Sequence, residues 1–233
     1  MNVVSDILAR LKTKLEMVDT STLYSDPTLI SIISDAHIWA GDQHAWPQNE
    51  KAKRSLTTAV AGIVDEYYDY PSEFKSDSIY MLEVNGVTYD PKSWDSYKNV
   101  KKNNSISSNE NIFATYGRQF FLNHVPSAAG LPIDAHGQIQ APPLVNLGDK
   151  TIFSDSEASL NEGVLLKAFS VCITGDKKES LNQELLASAI LAKGFKTIVA
   201  RRQRFQETNL PRFNVPDMFP QGGSRQFVRG NIG

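Results

Sequence analysis

Asp35, His37, Asp42 and His44 crowd two carboxylates and two imidazoles into ten residues, a donor set that could hold a divalent metal and activate water for hydrolysis. Their spacing works against that use. Side chains two apart on a helix point about 200° away from each other, so Asp35 and His37 converge only if the helix breaks early. Asp42 and His44 follow Gly41 and precede Trp46-Pro47, where polar residues serve as caps and hydrogen-bond partners. A metal-dependent hydrolase on these four residues is the enzymatic alternative the chain offers. No G-x-S-x-G elbow, G-x-x-x-x-G-K-[ST] phosphate loop or G-x-G-x-x-G is present. His124 and His136 sit in or beside a proline-rich stretch and read as hydrogen-bonded loop histidines. Cys172 falls in an apolar helical stripe and reads as a small core hydrophobe. These readings predict no catalytic residue, no metal and no cofactor.

The other chemistry-bearing cluster is Arg201-Arg202-Gln203-Arg204 near the end of a helix, where cations complement the negative pole of the helix dipole. A nucleic-acid surface would interleave such residues with stacking aromatics, and only Phe205 is close. DNA binding by the basic C-terminal third is therefore the second alternative. Between Lys193 and Arg229 eight Lys/Arg stand against Glu207 and Asp217, a net of +6 in a chain of net -2, so the first 192 residues carry -8. One end is thus suited to an acidic partner, while the body is built to stay in solution.

The 233 residues are 41% hydrophobic and 21% charged, a globular composition with apolar mass enough for a core that needs no disulfide staples. A single cysteine excludes an internal disulfide and a cysteine-cluster zinc site. No run approaches the ~18 apolar residues of a membrane span, and MNVVSDILARLK lacks the order of a signal peptide. The expectation is a soluble protein in an intracellular or virion setting.

Helical spacing places a first helix after Ser5 on Ile7, Leu8, Leu11 and Leu15. Ser25-Asp26-Pro27 opens a second, with Leu29, Ile32, Ile33, Ala36 and Ala40 buried, and Gly41 and later Trp46-Pro47 end it. A third is predicted from about Asn49 to Tyr68 through Ala52, Leu56, Ala59, Val60 and Ile63. Asn85-Gly86 between Ile79–Val84 and Val87–Tyr89 predicts a hairpin that sets Val84 against Val87 and Leu82 against Tyr89. Gly117-Arg118 turns a second hairpin, with one or two helical turns over 93–101 between the two. Residues 123–150, rich in Pro and Gly, show neither period. Helix returns near Ser159 or Asn161 through Val164, Leu165, Ala168, Phe169 and Cys172. After Gly175-Asp176 a last helix carries Leu181, Leu185, Leu186, Ala189, Ile190, Phe195, Ile198 and Val199 to about Gln206, with Gly194 weakening its middle.

The expected fold is α+β: a mainly helical bundle, with helical core 1–70 and 158–206, an inserted β-hairpin region and long loop over 78–150, and an extended C-terminal arm over 207–233. Prolines at 211, 216 and 220 bar that arm from continuing the helix, yet it carries more apolar anchors than a solvated tail needs.

Four stretches together resemble the head-to-tail connector, or adaptor, proteins of tailed bacteriophages. Tyr24-Ser25-Asp26-Pro27 through Ser34-Asp35-Ala36-His37-Ile38-Trp39-Ala40 and His44-Ala45-Trp46-Pro47 are similar to their opening helical pair. Tyr70-Pro71-Ser72-Glu73-Phe74-Lys75-Ser76-Asp77-Ser78-Ile79 is similar to the run into their first hairpin, and Ile112 to Phe121 to their second. Val145-Asn146, Thr151-Ile152-Phe153-Ser154 and the helix from Asn161-Glu162 are similar to their return to the bundle. The resemblance covers about residues 5–205, and none of its motifs is catalytic.

What the resemblance implies is a non-enzymatic virion protein of the neck, made in the host cytoplasm. It would form a homo-oligomeric ring, dodecameric in relatives, bound to the portal protein above and to a downstream tail or nozzle protein below. Double-stranded DNA would pass through its lumen, where an excess of carboxylates would let phosphates slide. No membrane is involved. In this setting Phe213, Met218, Phe219 and Phe227 are expected to anchor the arm in grooves of the portal or a neighbouring subunit. Arg212, Arg225 and Arg229, with Arg201, Arg202 and Arg204, would pair with acidic residues there. Long proline-bearing segments with apolar anchors suit such a subunit, because their ordering entropy is offset at assembly.

Overall fold

The computed structural model describes residues 3–18, 24–57, 67–102, 110–124, 126, 128–155 and 157–209, with only the backbone course given for 52–57 and 205–209. By its contacts the chain divides into two compact units, residues 1–196 and 197–233. The first unit contains the sheet and nearly all of the helical structure.

Its helical part comprises α1 (Val4–Met17), α2 (Asp26–Asp42), α4 (Asn161–Cys172) and the first two thirds of α5 (Lys177–Asn209). Helix α1 buries Val4, Ile7, Leu8, Leu11 and Leu15, and α2 buries Leu29, Ile33, Ala36 and Ala40; both stripes pack on α4. Ser5 is not the cap expected of it. The helix begins one residue earlier, and the first-turn N–H groups of Val4 and Ser5 donate to the carbonyls of Asp149 and Leu147, each at 3.0 Å. Ser25 and Pro27 do open α2. Helix α2 ends at Asp42, one residue past Gly41 and before Trp46-Pro47, and Gly41 also serves close packing, since a Cβ there would meet the Ala141 Cβ at 2.7 Å. Gly194 likewise serves close packing, since a Cβ on it would run into the Leu160 side chain.

The rest is a curled sheet of seven strands: β1 (Glu50–Thr57), β2 (Tyr67–Asp69), β3 (Met81–Val84), β4 (Val87–Pro91), β5 (Ile112–Tyr116), β6 (Gln119–Leu122) and β7 (Pro132–Gln138). Their order is β1-β7-β3-β4-β5-β6-β2, antiparallel throughout except β4 beside β5. That parallel pair is joined by a crossover containing α3 (Trp94–Lys102), as parallel strands require. The hairpin registers are those expected: Val84 opposes Val87, Leu82 opposes Tyr89, and both turns hold positive φ at Asn85-Gly86 and Gly117-Arg118. Phe113, Phe120, Leu122, Leu82, Val84, Ile133 and Ala135 fill the inside of the curl with Tyr70, Phe74 and Tyr89. On the outside, Trp94 stacks between Tyr97 at 5.4 Å and Tyr116 at 4.9 Å, against Phe121.

Three larger expectations are corrected. The chain is α+β, but a seven-stranded sheet stands beside the helices, so the fold is not a mainly helical bundle with a hairpin insertion. The helix expected over 49–68 is instead a short 3-10 turn (Pro47–Asn49), strand β1 paired to β7, nine residues outside the described set, and strand β2. In the sequence, apolar residues four apart, such as Ala52 and Leu56, fit an even strand spacing as well as the helical one; pairing with β7 decides for strand, with a register shift between Lys53 and Leu56 that sets Ala52 opposite His136 and Leu56 opposite Ile133. The stretch 123–150, read as patternless, supplies β7, which sits between β1 and β3. Its inward face is Ile133, Ala135 and Gly137, and Gly137 is small because a Cβ would meet Phe74 Cδ1 at 2.8 Å and the Ser78 carbonyl oxygen at 3.0 Å.

Candidate functional site

The quartet Asp35, His37, Asp42 and His44 does not converge. Asp35 is exposed on α2, whereas His37, two residues on, is fully buried. His37 Nε2 accepts the Ile152 N–H at 3.1 Å, and burial lowers its pKa to about 4. The Asp42 carboxylate pairs with Lys75 Nζ at 3.0 Å. His44 stacks flat on Phe195 at 4.7 Å beside the buried Trp46, whose Nε1–H donates to the Ala40 carbonyl at 2.8 Å. Each residue of the quartet except Asp35 thus works at the joint between α2 and its packing neighbours. Among the described residues no group of three or more His, Cys, Asp or Glu could hold a metal ion.

Of the basic cluster, Arg201, Arg202 and Arg204 lie exposed near the end of α5, in the second unit. Helix α5 continues to Asn209, three residues past the expected end. The arm residues Arg212, Phe213, Met218, Phe219, Arg225, Phe227 and Arg229 lie outside the described residues.

Sequence reasoning missed two surfaces. The first is on α5, whose leucines it named without sorting them between a buried and an exposed side. Ala187 and Leu191 are the buried pair, fitted against Gly163 of α4, and Lys167 with Glu184 clamps the two helices at 2.7 Å. Leu181, Leu185 and Leu186 are on the other side, 58%, 59% and 52% exposed. A shallow groove of about 490 Å³ lies there, lined by Glu179, Asn182, Gln183, Leu185 and Leu186. The signal was available, because the apolar residues of α5 cover more of its circumference than one buried stripe can use.

The second is the loop before α4. Leu144 is anchored in the core, its N–H on Ser34 Oγ at 2.9 Å, and the Asp149 carboxylate accepts the N–H groups of Val145 and Asn146, both at 2.7 Å. Those bonds hold the Asp149 pKa low and the charge in place. The loop so fixed presents Val145 and Leu147 to solvent, 68% and 50% exposed. A hollow of about 130 Å³ lies between Tyr70 and the second hairpin, with Thr115 Oγ1 donating to Asp77 Oδ1 at 2.7 Å on its wall.

No protein-family model matches this chain, and no curated protein matches it significantly. No helix among the described residues is long and apolar enough to cross a membrane.

Proposed function

We propose that this chain is a structural virion protein, a head-to-tail connector subunit that joins its copies in a ring, binds the portal and leaves a channel for DNA. The observation that carries the reading is the outward face of α5, where three leucines more than half exposed lie close together on a helix that already buries its opposite side. A helix apolar on both sides belongs between two packed layers, and the described residues supply only one. The four stretches that resemble phage connectors, and the apolar, proline-bearing sequence after Asn209, agree with a subunit completed by assembly.

In this reading copies of the chain meet through the unit 1–196, and the arm from Leu210 onward reaches the portal with Phe213, Met218, Phe219 and Phe227, its arginines meeting acidic residues. The -8 carried by residues 1–192 keeps the lumen from gripping phosphates. Electron microscopy and co-sedimentation of the full chain with portal rings test the proposal. A closed ring on the portal, lost when residues 210–233 are deleted from a still-folded chain, is the expected result. Failure of the intact chain to bind portal rings overturns it.

A further inference from the structure

The outward face of α5 has a definite chemistry. Lys178 and Lys196 are eighteen residues, or five full turns, apart and so share one azimuth, and Leu185 and Ala189 fall within about 20° of it. Leu181 flanks this line on one side and Leu186 on the other. The buried Ala187 and Leu191 are opposite. The face therefore sets Leu181, Leu185, Leu186 and Ala189 around the polar Asn182, with exposed Lys178 at one end and exposed Lys193 and Lys196 at the other, and it suits an apolar partner with an acidic border.

The loop of Val145 and Leu147 has the complementary character. Two exposed aliphatic side chains project from a segment pinned by Leu144 in the core, by Asp149 within the loop, and by the first turn of α1, where Ser5 N–H bonds the Leu147 carbonyl. The carboxylates beside it are those of Asp6, exposed in that first turn, and Asp149, and Lys150 is paired with Asp155 at 2.7 Å. Because the loop is already ordered, docking it costs little conformational entropy.

We infer that a second copy of this chain docks here, the Val145–Leu147 loop of one copy seating on the Leu181–Leu185–Leu186 face of the next. The two patches are different, so the contact is heterologous: each copy gives a loop to one neighbour and a helix face to the other, which closes a ring or runs into a filament. Asp6 and Asp149, held close together by the bonds of Val4 and Ser5 to the loop, then come against Lys178 at the near end of the face, while Lys196, about 27 Å further along the helix, lies beyond the loop's reach. The inference deepens the connector reading and rests on it only for the claim that the copies close into a ring.

Disulfide trapping tests it. Leu147→Cys and Leu186→Cys replace side chains about half exposed, and native Cys172 is buried with its thiol pKa pushed up to about 11, so it does not compete. The two variants, one carrying a size tag, are mixed at high concentration and oxidised without portal. Mixed dimers, and a ladder of linked chains from the L147C/L186C double variant, are expected. Same-variant dimers alone, or no product beyond that of the unsubstituted chain, overturn the contact. In a second measurement, Leu186→Glu should weaken self-association in sedimentation velocity by about tenfold or more, the equivalent of one well-buried contact; an unchanged profile counts equally against it. A ladder from a chain that ignores portal rings removes the connector reading and leaves the contact. Portal binding without mixed dimers does the reverse.

Discussion

The imidazole of His37 is joined to the backbone of Ile152 across 115 residues of chain, its Nε2 accepting that N–H at 3.1 Å. An accepting Nε2 puts the proton of the neutral ring on Nδ1, which faces the Pro142 carbonyl outside good hydrogen-bond geometry. Protonation would turn Nε2 into a second donor against the Ile152 N–H, inside the joint that carries the Val145–Leu147 loop.

Stability should accordingly depend on pH. Burial holds the His37 pKa at about 4, below the 6.5 of the unfolded chain. Between those values the unfolded state binds the extra proton, so the contribution is complete above pH 6.5 and is lost as pH falls toward 4. The separation corresponds to roughly 3 kcal/mol. Urea midpoints measured at pH 7.5, 5.5 and 4 should fall steeply for the native chain and less for His37→Gln, which cannot titrate. Parallel slopes in the two proteins would show that His37 is not the responsible group.

Gly137 lies where β7 passes under the 74–79 segment, and the atoms a methyl would meet include the Ser78 carbonyl oxygen at 3.0 Å and Ile79 Cα at 3.1 Å. Backbone cannot step aside as a side-chain tip can. Gly137→Ala should therefore destabilise the chain by about 1–3 kcal/mol, seen as a lower denaturation midpoint with an unchanged slope. Gly148→Ala, with nothing within 4 Å of the added carbon, is the control and should change little.

How much of the fold was legible tracks the strength of each local signal. Helices α1, α2 and α4 bury stripes of large aliphatics at helical spacing, and both hairpins carry turn pairs that accept positive φ, so these elements were readable. Strand β7 was not, because its inward face runs Ile133, Ala135, Gly137, and two of those three residues carry almost no hydrophobic weight. β1 was misread because a spacing of four fits both periods, and its partner is some eighty residues away. That Asp35 and His37 point apart was legible from their spacing on one helix. The α5 face was visible only as an excess of leucines, and the Val145–Leu147 loop becomes a surface only through Asp149 and α1, which no local pattern announces.

Cys172 sits on the buried side of α4, and burial raises its thiol pKa to about 11 from a usual value near 9. The thiolate fraction at pH 8 is correspondingly small. Ellman's reagent should label the native chain slowly and the urea-unfolded chain promptly, one thiol per chain in each case at completion. Prompt labelling of the native chain would mean that α4 opens readily from its neighbours.

Thr151 is the hub of a closed hydrogen-bond network. Its hydroxyl donates to Asn161 Oδ1 at 2.5 Å, which leaves its oxygen to accept from the Ser154 hydroxyl at 3.0 Å and from the Phe153 N–H at 3.3 Å, while Ser154 Oγ accepts the Thr151 N–H at 3.1 Å. Thr151, Ser154 and Asn161 are all buried, so water cannot replace a missing partner. Thr151→Val keeps the shape and removes both roles of the hydroxyl, and it should cost about 2–3 kcal/mol in urea unfolding; Thr151→Ser keeps the hydroxyl and should cost less than about 1.5 kcal/mol. Equal losses would reduce Thr151 to a matter of packing. The network also sets where the chain enters α4, and hence the stiffness of the segment bearing Val145 and Leu147. Thr151→Val should therefore increase hydrogen exchange at the Val145 and Asn146 amides, which Asp149 otherwise protects, before it affects the amides of β7.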